Sequence, residues 1–180
     1  MARMPINEIE NTTGTAADLL GQVHKGMGAV PNMAKVMVNS PATLKGYLRL
    51  SAALGGGKLD TVTREQLALT VAQANECSYC LSVHTANAPS VGLSPEQVLA
   101  ARRASAEDPK TDAILKLAAA LVATRGAVTD EQVEAARAAG ITAEEATEIV
   151  GNVALNTLTN FFNKAAQVDI DFPVVDPADL

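Results

Sequence analysis

The sequence predicts an all-α protein folded as a single domain, and three observations carry that expectation. Nearly half of the 180 residues are apolar (48%), yet aromatics contribute only 3% and Trp is absent. Ala, Leu, Val and Met must therefore fill the interior, a composition that suits closely packed helices better than a β-sandwich. Helix start and stop signals recur along most of the chain, and no two segments read convincingly as paired strands. A chain of this length holds one ordinary core and is too short for two.

The elements follow in order. "AADLLGQVHKGMG" places apolar residues at 19, 20, 23 and 27 and breaks at Gly28 and Pro31. "PNMAKVMVNSP" gives a short helix closed by Ser40-Pro41, and "PATLKGYLRLSAALGGG" is ended by its three glycines. Thr63-Arg64-Glu65-Gln66 reads as a capping box for a helix carrying Leu67, Leu69, Val71 and Ala74. Asn75-Glu76 is a poor helix interior and a plausible break. Ser94-Pro95-Glu96-Gln97 is a stronger box, with Pro in the first helical position. Asp108-Pro109 starts a helix that Gly126 ends, and Thr129-Asp130-Glu131-Gln132 starts another, stopped by Gly140. Thr142-Ala143-Glu144-Glu145 opens the longest helix, expected to run to about Val168. The tail "DIDFPVVDPADL" has two prolines and should be extended. The organisation expected is an N-terminal helical segment over 1–30, a core domain over 31–168 and an extended tail over 169–180. A weak internal similarity slides Thr63 onto Thr142, pairing Cys77 with Asn156, Cys80 with Thr159 and His84 with Asn163.

Charge and composition narrow the function classes. The net charge is −6 and no basic run offers a phosphate-tracking surface, which argues against nucleic acid as a partner. The N-terminus lacks the apolar region of a signal peptide, and no stretch reaches the ~18 apolar residues needed to span a bilayer. The expected location is the cytoplasm, where thiols are kept reduced.

The chemistry concentrates in "QANECSYCLSVHTA", which holds both cysteines and one of the two histidines. At about 100° per residue, Cys77, Cys80 and His84 share one helix face, with Cys80 and His84 in i, i+4 contact range. A break at Asn75-Glu76 leaves Cys77 in the first turn of a new helix, whose positive end stabilises a thiolate. Three other readings compete. Structural zinc needs four ligands, and the remaining histidine, His24, lies in an unrelated helix. A structural disulfide would close too short a loop to stabilise much. Inert packing is the third, since free Cys is often buried. Glu65 bears on the choice: if the chain turns a corner at Asn75-Glu76, its carboxylate can reach the His84 face and orient the imidazole. Its alternative is a first-turn residue favoured by the helix dipole.

Glu65, eleven intervening residues and then Cys77-x-x-Cys80-x-x-x-His84 resembles the core motif of the AhpD-like (alkylhydroperoxidase D) branch of the carboxymuconolactone decarboxylase superfamily. "PNMAKVMVNSPATLKGYLRLSAAL" and "LNTLTNFFNKAAQVDIDFP" fit the same pattern, so the resemblance runs from about Pro31 to Pro173. It implies an all-helical fold, with 31–168 as the AhpD-like core, assembled as a homo-oligomer, often a trimer or hexamer. It implies a peroxidase that reduces organic hydroperoxides through a dithiol/disulfide cycle and needs no cofactor. Cys80 would be the peroxidatic thiol, Cys77 the resolving thiol, and His84 with Glu65 the proton relay. A thiol or lipoyl-type reductant protein would restore the dithiol. Better-known relatives carry a histidine just before the second cysteine, where this chain has Tyr79, whose phenol (reference pKa about 10) cannot relay protons near neutrality as an imidazole does. The apolar neighbours Leu81, Val83, Ala86 and Ala88 suit an organic hydroperoxide better than hydrogen peroxide. A decarboxylase of the same superfamily is disfavoured, because that branch does not rest on a C-x-x-C pair; a zinc or redox-sensing oligomer is the non-enzymatic alternative. Asn152, Asn156, Asn160 and Asn163 form an amide stripe that is either a solvated face or a polar seam at a subunit contact or the redox pocket. The stripe is not assigned a catalytic role on sequence grounds.

Overall fold

A computed structural model describes residues 2–180 and contains, among them, nine α-helices, two short 3₁₀ turns and no strand, so the all-α expectation holds. The helices are α1 (Gly14–Met27), α2 (Asn32–Met37), α3 (Pro41–Gly55), α4 (Thr61–Ala74), α5 (Ser78–Asn87), α6 (Pro95–Arg102), α7 (Pro109–Thr124), α8 (Asp130–Ala138) and α9 (Ala143–Ala166).

Capping sets most of the boundaries. Ser94, Thr129 and Thr142 each close a reciprocal box with the residue three positions on, as their sequences predict. The box expected at Thr63 does not form. The Asp60 carboxylate instead accepts from the Thr63 amide at 2.8 Å, and α4 begins a turn earlier than predicted. Thr63 and Gln66 then lie inside the helix, both buried. The longest helix ends at Ala166, because Gln167 turns left-handed.

Helix α4 is the centre of the fold. Leu67, Ala68, Leu69, Thr70, Val71 and Ala72 are all buried, as expected of a helix packed on every side. It lies against α5, α6, α7 and α9, and Leu81, Leu115 and Ile149 complete its core. A second apolar cluster, including Leu20, Val23, Met37 and Leu44, joins α1, α2 and α3. Met33 and Phe162 pack against both clusters and tie them into one domain.

The predicted break at Asn75-Glu76 is real. Asn75 caps α4, Glu76 is left-handed (φ 51°) and Cys77 is the extended N-cap of α5. Cys77 thus sits one step outside the first turn, and Cys80 within it. From α9, the Lys164 ammonium donates to the Asn75 backbone carbonyl at 2.7 Å, and Asn160 Oδ1 accepts from Asn75 side-chain Nδ2 at 2.9 Å. The corner between α4 and α5 is therefore held from outside. By contrast, α9 runs unbroken through Asn156, the position the internal similarity pairs with Cys77.

Residues 168–180 form no helix and pack across α5. The Val175 amide donates to Ser82 Oγ at 2.9 Å, and Asp171 accepts from both Tyr79 and the Asn32 amide.

An ion pair fixes the start of α9. Glu145 takes hydrogen bonds from Lys110 at 2.7 Å and from the Thr142 amide at 2.8 Å, which hold its carboxyl at about 2 against an ordinary 4.5. A depressed carboxyl contributes stability that is fully present above pH 4.5 and disappears as the pH falls towards about 2. Glu145→Gln is expected to flatten the fall in the urea midpoint over that window while changing its shape little above it.

Candidate functional site

The corner brings together the four residues that the sequence motif singles out. Glu65 projects from α4 and His84 from α5, and Glu65 Oε1 lies 2.8 Å from His84 Nδ1. Both side chains are mostly buried, at 15% and 22% exposure. A carboxylate on Nδ1 makes that nitrogen the donor and leaves Nε2 free to take or give a proton.

Cys77 and Cys80 are bonded through their sulfurs, with Cα atoms 5.3 Å apart. Cys77 Sγ also accepts from the Cys80 amide at 3.3 Å, the place a serine hydroxyl takes at an N-cap. Both sulfurs therefore sit at the positive end of α5, where a thiolate is favoured. Both cysteines are buried, each with 1% exposure, but they face different surroundings. Cys80 lines a cavity of about 480 Å³ that Glu65 and His84 also line, whereas Cys77 does not.

The rest of that cavity is mixed in character. Val23 and Met27 of α1, Met33 of α2, Leu48 and Leu54 of α3 and Leu155 of α9 supply apolar walls. Of the apolar neighbours named from sequence, only Val83 lines it. Leu81 and Ala88 are turned into the core and Ala86 is exposed, since a helix distributes adjacent residues around its axis. Tyr47 lines the cavity too; burial first, and then the Glu65 carboxylate, push its phenol up and keep it protonated.

Tyr79 is a strut. Its hydroxyl donates to Asp171 Oδ1 at 2.8 Å and accepts from the Met33 amide at 3.1 Å, and its ring meets Phe172 edge to face. Burial is the largest cause raising its phenol pKa far above the ordinary value, so it titrates well outside the neutral range. The phenol thus ties the tail and α2 to α5.

The amide stripe of α9 is buried along its whole length, so it is not a solvated face. Asn152 and Asn156 return their amide nitrogens to carbonyls one turn back, at 2.8 and 2.9 Å. Asn163 instead donates from Nδ2 to Cys80 Sγ at 3.3 Å, and its Oδ1 is buried without a partner. This contact is what the sequence reading missed. The available signal was the three- and four-residue recurrence of Asn, together with the slide that pairs Asn163 with His84. Among the described residues, no group of three or more His, Cys, Asp or Glu side chains could hold a metal ion. Nor, among them, is any helix long and apolar enough to cross a membrane.

Residues 41–123 match the carboxymuconolactone decarboxylase family, and that segment contains Glu65, Cys77, Cys80 and His84. The segment that carries the motif is thus similar to the carboxymuconolactone decarboxylase family, and the fold of the chain is AhpD-like. The chain is similar in structure to an uncharacterized peroxidase-related protein from Ralstonia eutropha JMP134 described as having an alkylhydroperoxidase AhpD core. The TM-score is 0.81 at 23% identity, over 94% of this chain and 92% of that one. A peroxidase-related protein from Silicibacter sp. TM1040 superposes with a TM-score of 0.75 at 21% identity, over 84% and 82% of the two chains. The debrominase Bmp8, as a cysteine-to-alanine variant in complex with 2,3,4-tribromopyrrole, gives 0.78 at 18% identity, over 94% and 91%. No curated protein sequence matches the chain.

Proposed function

We propose that this protein is a thiol-dependent peroxidase that reduces organic hydroperoxides through Cys80 and Cys77, with His84 and Glu65 as its proton relay. One observation carries the reading: a C-x-x-C disulfide places only its second sulfur on the wall of a cavity that a carboxylate–imidazole pair also lines.

In the reduced protein, His84 takes the Cys80 proton at Nε2 while Glu65 holds Nδ1–H and stabilises the imidazolium. The thiolate attacks the terminal oxygen of ROOH. The O–O bond breaks, the departing RO⁻ takes the proton from His84 as ROH, and Cys80 is left as a sulfenic acid. Cys77, once deprotonated, attacks that sulfur, forming the S–S bond and releasing the hydroxyl as water with the proton. A dithiol reductant, either a thiol or a lipoyl-type protein, restores both thiols by exchange.

The apolar walls favour an alkyl or aryl hydroperoxide over hydrogen peroxide, because burying the organic group is favourable at about 25 cal/mol per Å². Exposed Val150, Leu158 and Phe161 fall on one side of α9 and support assembly as a homo-oligomer, a trimer or hexamer. A turnover assay tests the reading. Dihydrolipoamide, thioredoxin and glutathione are offered in turn with cumene hydroperoxide, tert-butyl hydroperoxide and hydrogen peroxide, and a brominated pyrrole is included because Bmp8 is a debrominase. The expected order places the organic hydroperoxides first. Release of bromide without peroxide consumption would replace this reading with a dehalogenase.

A further inference from the structure

We infer that Asn163 is a catalytic residue of the same site. Its Nδ2 holds the Cys80 thiolate, and its Oδ1 receives the terminal hydroxyl of the bound hydroperoxide. The second part rests on the peroxidase reading.

The observations are local and independent of the motif. Asn163 is 4% exposed, lines the cavity and donates from Nδ2 to Cys80 Sγ at 3.3 Å. A thiolate has no hydrogen to give, so only the NH₂ side of an amide can face it, and the bond strengthens when the sulfur carries charge. That orientation leaves Oδ1, the adjacent atom of the same amide, buried and without a partner. A buried acceptor left empty is costly, and an amide group gains when a donor fills the position. The other buried amides of the stripe differ: Asn152 and Asn156 give their Nδ2 atoms to their own helix, and Asn160 takes Asn75 on Oδ1, keeps an unpartnered Nδ2 and does not line the cavity.

The terminal oxygen of a hydroperoxide carries one hydrogen and is the atom that sulfur attacks. With its O–H donated to Asn163 Oδ1, that oxygen is held close to the sulfur that Nδ2 also touches. The electron balance is unchanged from the scheme above. The Cys80 lone pair forms the S–O bond, the O–O pair leaves on RO⁻, and His84 supplies the proton that completes ROH. One amide therefore orders the nucleophile and its target together, as preorganised donors and acceptors do in other active sites.

The experiment uses the full chain in a Cys77→Ser background, so that Cys80 alone reacts. Two readouts are taken: the pH midpoint of iodoacetamide alkylation, and the rate of sulfenic acid formation with cumene hydroperoxide. For Asn163→Ala, the midpoint should rise by about one pH unit and the peroxide rate should fall about 10- to 100-fold. Asn163→Asp preserves size and an acceptor but replaces the donor with a charge. It should raise the midpoint further, which guards against a merely misfolded alanine variant. An unchanged midpoint with a rate within twofold of the background would overturn the assignment. If the background protein fails to react with any hydroperoxide, the peroxidase reading fails. In that event a raised midpoint in both variants still upholds the contact of Asn163 with the thiolate, and an unmoved one removes it.

Discussion

Cys80→Ser is expected to stop hydroperoxide consumption, by at least ~10³-fold, whereas Cys77→Ser is expected to keep the first oxidation and lose the cycle. The asymmetry follows from position. The two sulfurs are bonded to one another, yet only Cys80 lines the cavity and receives the Asn163 amide. A hydroxyl in its place is a far weaker nucleophile near neutrality. Without Cys77, the sulfenic acid has no internal thiol to meet and persists, or passes to a thiol from outside. Stopped-flow peroxide consumption, followed by mass measurement, separates the two variants. Cys77→Ser should gain one oxygen atom and Cys80→Ser none.

The second large effect concerns proton transfer. His84→Ala is expected to lower the rate of Cys80 oxidation by about 10²–10⁴-fold, the usual worth of a positioned general acid–base group. Glu65→Gln should cost less, about 10- to 100-fold, because the imidazole remains but loses the carboxylate that fixes its tautomer at 2.8 Å. The two changes made together should cost little more than His84→Ala alone, since Glu65 acts through the imidazole. Additive losses would mean that Glu65 acts independently, and the relay would need redrawing.

Much of this architecture was legible in the sequence, for local reasons. Ser94, Thr129 and Thr142 act where a capping residue and its partner are three apart, and the Lys110 bond to Glu145 leaves the Thr142 box intact. The corner at Asn75-Glu76 was likewise a local signal, and it is the feature that brings Glu65 to His84. Thr63 shows the limit. An equally good cap three residues earlier, Asp60, takes the Thr63 amide, and one sequence window contains both possibilities.

The site beyond the motif depends on contacts between distant helices. Asn163 lies 83 residues from Cys80, and Asp171 lies 92 from Tyr79. No periodicity within α9 says which of its faces meets α5. The apolar walls show the same effect, since they come from α1, α2, α3 and α9, while neighbours of the motif such as Leu81 and Ala88 serve the core. The role of Tyr79 is visible only in three dimensions, as the anchor between α5 and the tail.

The central claim is that Cys77 and Cys80 cycle between dithiol and disulfide at the expense of a hydroperoxide, and thiol counting tests it most directly. Fully reduced protein is mixed with one equivalent of cumene hydroperoxide under anaerobic conditions, and free thiols are titrated with the mass of the product recorded. The account predicts the loss of both thiols, one equivalent of cumyl alcohol and an intramolecular Cys77–Cys80 bond. Two thiols still free after the peroxide has had time to react would contradict it.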